Sequence, residues 1–105
     1  MKIYFFQLFL VFSLMSFSNN TFAQDTTDKQ NIGATKYKMF CAVCHGKDGK
    51  LNVNGATDLS TSKLSKKKRI KIIREGKGLM LPFKGILKDE EIKAIAKYLD
   101  ELIEK

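Results

Sequence analysis

The sequence predicts an all-α domain of three to four helices, and three observations carry that prediction. Residues 89–103 repeat their apolar positions every three to four residues, with Ile92, Ile95, Leu99 and Leu102 in one stripe. No segment alternates apolar and polar residues as a half-buried strand does. Between the periodic stretches lie glycine-rich runs, with Gly46, Gly49 and Gly55 in one and Gly76, Gly78 and Gly85 in the next, which read as turns.

The chain of 105 residues starts with Met1-Lys2, then 15 almost wholly apolar residues (3–17), then the polar Ser18-Asn19-Asn20. Thr21-Phe22-Ala23 puts small residues three before and one before a cut after Ala23. Residues 1–23 are therefore expected to be a cleaved signal peptide, and the export compartment to be the periplasm. The apolar run is shorter than the ~20 residues of a spanning helix, and an uncleaved N-terminal anchor is the alternative. No cysteine follows the run, so no bacterial lipid anchor is indicated. Residues 24–105 suffice for one small domain, whose hydrophobic core is marginal by itself. A cofactor that brings apolar surface would relieve the shortfall.

Residues 24–31 (QDTTDKQN) are polar and expected as an N-terminal tail; the domain proper spans 32–105. The first helix is predicted over about 33–43, with Tyr37, Phe40, Cys41 and Cys44 on one face and Gly46 at its exit. Residues 46–58 read as turns. The second helix lies within 62–75, capped by Ser62 or Ser65, stopped by Gly76, with Ile70 and Ile73 on one face. Residues 76–85 form a loop containing the only proline, Pro82. The third helix runs over about 89–103. Asp89, Glu90 and Glu91 occupy its first turn, where the macrodipole favours acids, and Ala96 and Tyr98 flank its stripe.

The chemistry concentrates in Cys41-Ala42-Val43-Cys44-His45, which holds both cysteines and the only histidine. Two thiols three positions apart on a helical turn reach the two vinyl groups of a porphyrin, and the next residue's imidazole projects beneath the iron. That reading makes Cys41 and Cys44 covalent haem attachments and His45 an axial iron ligand. Three other readings compete: a thioredoxin-like dithiol, a zinc site, and a plain disulfide beside a surface histidine. The dithiol motif belongs at the start of a helix in a βαβ setting, whereas this pair ends a helix. Structural zinc asks for four ligands, and three are present.

Iron in an electron carrier needs a ligand on its other face. After residue 23 the methionines are Met39 and Met80. Met39 sits on the attachment helix itself and cannot cross the ring. Met80 lies in the hydrophobic loop Leu79-Met80-Leu81-Pro82-Phe83, so it is the expected second ligand. Thioether ligation favours the ferrous state relative to two imidazoles. With both positions filled the iron passes electrons without binding substrate, so the chain is expected not to be an enzyme. An open sixth position, with ligand sensing or peroxidase chemistry, is the contrary reading.

The formal net charge is +8, and removing Lys2 with the signal leaves +7. The densest basic run is Lys66-Lys67-Lys68-Arg69 with Lys63 and Lys71. Together with Lys47, Lys77 and Lys84 it is expected to steer the protein to acidic redox partners, a donor reductase and an acceptor oxidase or reductase. Nucleic-acid binding is not expected, since the aromatics do not interleave with the basic residues. A membrane is reached only through partners unless the signal segment is retained, and the chain is expected to be a monomer.

Taken in order, these motifs resemble the class I c-type cytochromes of the small bacterial monohaem type, over residues 32–103. Gly33-x-x-x-Tyr37-x-x-x-Cys41-x-x-Cys44-His45 is similar to the family's N-terminal helix running into its haem site, and Ile95-Ala96-Lys97-Tyr98-Leu99 to its C-terminal helix. The resemblance implies a cytochrome c-like fold wrapped around one covalently bound haem c, with Gly33 and Tyr37 meeting Ile95 and Tyr98 where these helices cross. Ile73-x-x-Gly76 and Met80-x-x-Phe83 resemble the stretch that delivers the methionine ligand. The order here is Met80-Leu81-Pro82, where family members commonly have proline directly after methionine. Many members also fix the ligand histidine through a proline carbonyl; the matching residues 55–59 contain no proline, so another carbonyl must serve. The function implied is single-electron transfer. A haem-c relay subunit of a larger oxidoreductase, or a periplasmic dithiol or disulfide protein without haem, is the alternative.

Overall fold

The computed structural model describes residues 24–104, with side chains placed at residue 28 and from residue 31 onward. The expected signal segment, residues 1–23, lies outside them. Among the described residues four helices follow in order: α1 (Gln24–Phe40), α2 (Ala42–His45), α3 (Lys66–Glu75) and α4 (Asp89–Ile103). A 3₁₀ turn, Val53–Gly55, separates α2 from α3. Among the described residues no strand forms, only isolated bridges pairing Lys77 with Met80 and Lys84 with Leu87.

α1 begins well before the position the sequence pattern suggests. Residues 24–31, expected as a polar tail, are instead helical. The reason is local: no glycine or proline interrupts the chain before Gly33. At its other end α1 stops at Phe40, and Cys41 passes the chain into α2. The helical hydrogen bonds nevertheless run on through the junction, from the Cys41 N–H to the Tyr37 carbonyl (2.8 Å) and from the His45 N–H to the Cys41 carbonyl (2.9 Å).

α1 and α4 pack together at Gly33. A methyl group there would collide with the Ala94 carbonyl and crowd Tyr98, so only glycine permits this approach. One turn on, the Tyr37 ring meets the Tyr98 ring at 5.3 Å between centroids, tilted by 54°. The crossing implied by the resemblance is therefore present, with Ala94 and Tyr98 facing the glycine. Gly33 and Tyr37 are four residues apart on one line of α1, and Cys41, four further on, continues that line into the junction with α2.

The α4 stripe is buried as its period requires: Ile92, Ile95, Ala96, Leu99 and Leu102 form the core with Tyr37, Cys41, Ile73 and Leu87. Leu87 and Ile92 occupy the two positions of a hydrophobic staple around the start of α4. The Glu91 carboxylate accepts from the Lys88 backbone N–H (2.8 Å) and pairs with Lys36 of α1 (3.0 Å). These two contacts, the backbone bond first, hold its pKa below the usual carboxylate range.

α3 is capped by Ser65, whose hydroxyl accepts from the Lys68 N–H at 3.3 Å, and it ends at Gly76 with φ +74°. Its inner face carries Ile73 and, against expectation, Arg69. The sequence places Arg69 in an exposed basic run, yet its side chain is only 9% exposed. Four residues before Ile73, it lies on the face that packs on α4. There the guanidinium bonds the Asp100 carboxylate (2.5 Å) and the Ala96 carbonyl (3.3 Å). Arg69 therefore holds two helices together and is not part of a surface patch.

This geometry makes the two partners unequal. Asp100→Ala strands a buried guanidinium on one carbonyl, whereas Arg69→Met replaces it with an apolar chain of similar length. Urea unfolding is expected to find Asp100→Ala the less stable variant, by about 2 kcal/mol. That figure is lower than for a fully buried pair because the Asp100 side chain is 53% exposed.

Candidate haem-binding site

The attachment turn is held by three hydrogen bonds from different parts of the chain. The Leu51 N–H reaches the His45 carbonyl (2.9 Å), and the Tyr37 hydroxyl donates to the Gly46 carbonyl (2.6 Å). The third involves the ring: His45 Nδ1 lies 3.0 Å from the Thr57 carbonyl. A carbonyl only accepts, so Nδ1 carries the proton and Nε2 of the neutral imidazole keeps its lone pair for a metal. Thr57 answers the question the proline-free segment left open.

A short turn presents that carbonyl. The Asp58 carboxylate accepts from the Ser60 hydroxyl (2.6 Å) and the Ser60 N–H (2.9 Å), closing an Asx-type turn beside Thr57. These bonds, the hydroxyl first, keep the Asp58 pKa below its usual value. The turn is in turn fastened to the attachment segment by the Leu59 N–H, which reaches the Gly49 carbonyl at 2.8 Å.

Cys41 and Cys44 form no disulfide. Cys41 is part of the core, and burial pushes its thiol pKa up to about 12. Cys44 is half-buried. Val43 between them is 71% exposed.

Met80 sits half-buried against the core cluster, in a turn closed on itself. The Lys77 N–H bonds the Met80 carbonyl (3.2 Å), and the Met80 N–H bonds the Lys77 carbonyl (3.0 Å). Two further bonds pin the loop to the end of α3, from Phe83 N–H to Ile73 carbonyl (3.0 Å) and from Lys84 N–H to Arg74 carbonyl (3.1 Å). The Phe83 ring then stands edge-on to Phe40 of α1, with centroids 5.9 Å apart. Leu79 and Leu81, on either side of Met80, are 80% and 68% exposed.

These donors and surfaces fit a covalently held haem: two unpaired thiols, an imidazole with Nε2 free, and a thioether on a loop of large, exposed apolar residues. They do not fit zinc, since among the described residues no three His, Cys, Asp or Glu side chains gather to hold a metal ion. Nor, among the described residues, does any strand frame the cysteines as the dithiol motif's βαβ setting would.

Comparison with known proteins decides between these chemistries. Residues 28–99 match the family described as cytochrome c oxidase, cbb3-type, subunit III. The chain is also 32% identical over 79 residues to cytochrome c6 of Leptolyngbya boryana, across 70% of this chain and 92% of that protein. The chain belongs to the c-type cytochromes. It is a monohaem electron-transfer cytochrome of small all-α fold with covalently bound haem c, and the haem-free dithiol reading falls away.

The loop that carries Met80 depends on one glycine. A Cβ at Gly76 would stand 2.5 Å from the Met80 carbonyl oxygen and 2.9 Å from the Pro82 nitrogen, at a φ of +74°. At Gly78, φ is +59° and nothing lies within 4 Å. Gly76→Ala is therefore expected to cost about 2–3 kcal/mol, and Gly78→Ala only about 1 kcal/mol, in guanidinium unfolding of the haem-loaded protein.

Proposed function

We propose that this cytochrome is an exported single-electron carrier, and not an enzyme, whose haem is bound through Cys41 and Cys44 and ligated by His45 and Met80. The bound haem supplies an iron that alternates between ferrous and ferric states. The chain's residues set its surroundings. The observation that carries the reading is the bond from His45 Nδ1 to Thr57, because it fixes the tautomer and aims Nε2 as a ligand must be aimed. Support for Met80 comes from its loop, pinned at both ends and bordered by Gly76 and Phe83. A fixed thioether in that position keeps substrates and small molecules off the iron, which suits transfer better than catalysis.

Residues 1–23 read as a signal peptide, which would place the mature domain in the periplasm. No helix of the described residues is long and apolar enough to cross a membrane. The partners proposed are acidic redox proteins. Lys63, Lys66, Lys67, Lys68 and Lys71 are all exposed, and Arg69 leaves this patch because it is buried. Lys47 follows His45 by two residues, and Lys77 and Lys84 flank the Met80 loop, so exposed positive charge adjoins both ligands in sequence.

Two measurements test these assignments. Met80→Ala should remove the weak sulfur-to-iron absorption of the ferric protein and let the ferrous protein bind carbon monoxide. A wild-type protein that already binds carbon monoxide readily would exclude Met80. Second, electron transfer to an acidic partner should slow as salt is raised through ~0.1 M, where the screening length falls to about 10 Å. Rates indifferent to salt would remove the lysine patch from the mechanism.

A further inference from the structure

Tyr37 is among the most completely buried side chains, 1% exposed, yet it ends in a polar group. Its hydroxyl is satisfied by the Gly46 carbonyl, the residue directly after His45. The packing of its ring against Tyr98 accounts for an aromatic residue here, and a phenylalanine would supply the same ring. The hydroxyl is left with no packing role.

The Gly46 carbonyl is where several bonds converge. It accepts from the Tyr37 hydroxyl at 2.6 Å and from the Gly49 N–H at 3.2 Å. The Gly49 carbonyl in turn accepts from the Leu59 N–H at 2.8 Å, and Thr57, two residues before Leu59, offers its carbonyl to His45 Nδ1. A continuous series therefore runs from the core of α1, through the turn at Gly46 and Gly49, to the group that orients the imidazole. The Tyr37 proton stays in place over the whole working pH range. Burial, and then the neighbouring Cys41, Tyr98 and Asp48, push its pKa well above the usual tyrosine value.

We propose that the Tyr37 hydroxyl is a positioning residue for the axial histidine: by holding the Gly46 carbonyl it fixes the turn that presents the Thr57 carbonyl to His45. The inference rests on His45 being an iron ligand, as proposed above. The electronic consequence has a definite sign. A firm hydrogen bond from Nδ1 makes the imidazole a stronger donor, which stabilises ferric iron and lowers the midpoint potential. Loosening the turn weakens that bond and raises the potential.

The test is Tyr37→Phe in the haem-loaded protein, with Tyr98→Phe as the matched control, since it removes the hydroxyl of the neighbouring ring. The Tyr37 variant should keep the same ligation spectrum, shift its midpoint potential upward, and lose amide-exchange protection at Gly49 and Leu59 about fivefold, the order of one lost hydrogen bond. Tyr98→Phe should move neither quantity. An unmoved potential in Tyr37→Phe, or equal shifts in both variants, overturns the inference and leaves the ligand assignment standing. A wild-type spectrum without histidine ligation overturns that assignment and the inference with it.

Discussion

Where α1 crosses α4 there is no room for a methyl group. Gly33 lies against the backbone of Ala94, and the axes can approach only because that position has no side chain. From this closeness follows the tilted contact of Tyr37 with Tyr98, and one turn later the burial of Cys41 in the core that also holds Ile95 and Leu99. The attachment turn starts at Cys41, so its place in space is set by the crossing.

The opposite side of the site is built by a separate route. α3 is fastened to α4 by Arg69, buried between them, and by the Arg74–Asp89 pair at 2.9 Å. The carbonyls of its last turn then accept hydrogen bonds from the Phe83 and Lys84 N–H groups, which fixes the loop bearing Met80. α4 is thus the common support of both halves. One face of it receives α1, another receives α3, and the two candidate ligands are placed from these two contacts.

Much of this was legible in the sequence because it depends on local period and punctuation. The bounds of α4 follow from its apolar stripe and acidic first turn, and the end of α3 from Gly76, while its start lay between two candidate caps, Ser62 and Ser65, of which the fold uses Ser65. The cysteine pair and His45 stand out by their spacing, which favours haem attachment over the competing readings without deciding between them. Other features depend on partners remote in the chain. Arg69 sits in a row of lysines and reads as one of them until α4 brings Asp100 to meet it 31 residues later. Its spacing of four from Ile73 was the one available signal. The Thr57 carbonyl could not be named, since every residue has a carbonyl and only the fold chooses among them. Residues 24–31 misled in another way: a polar composition says that a segment buries little, not that it lacks helix.

The burial of Cys41 sets an order of events during maturation. Its side chain is only 8% exposed and belongs to the core that packs along α4. A porphyrin cannot slide into a closed junction, so a carbon–sulfur bond at that position has to be made while the helices are still apart. Assembly then has a direction: the prosthetic group is joined to an open chain, and docking of α1 on α4 afterwards seals the linkage.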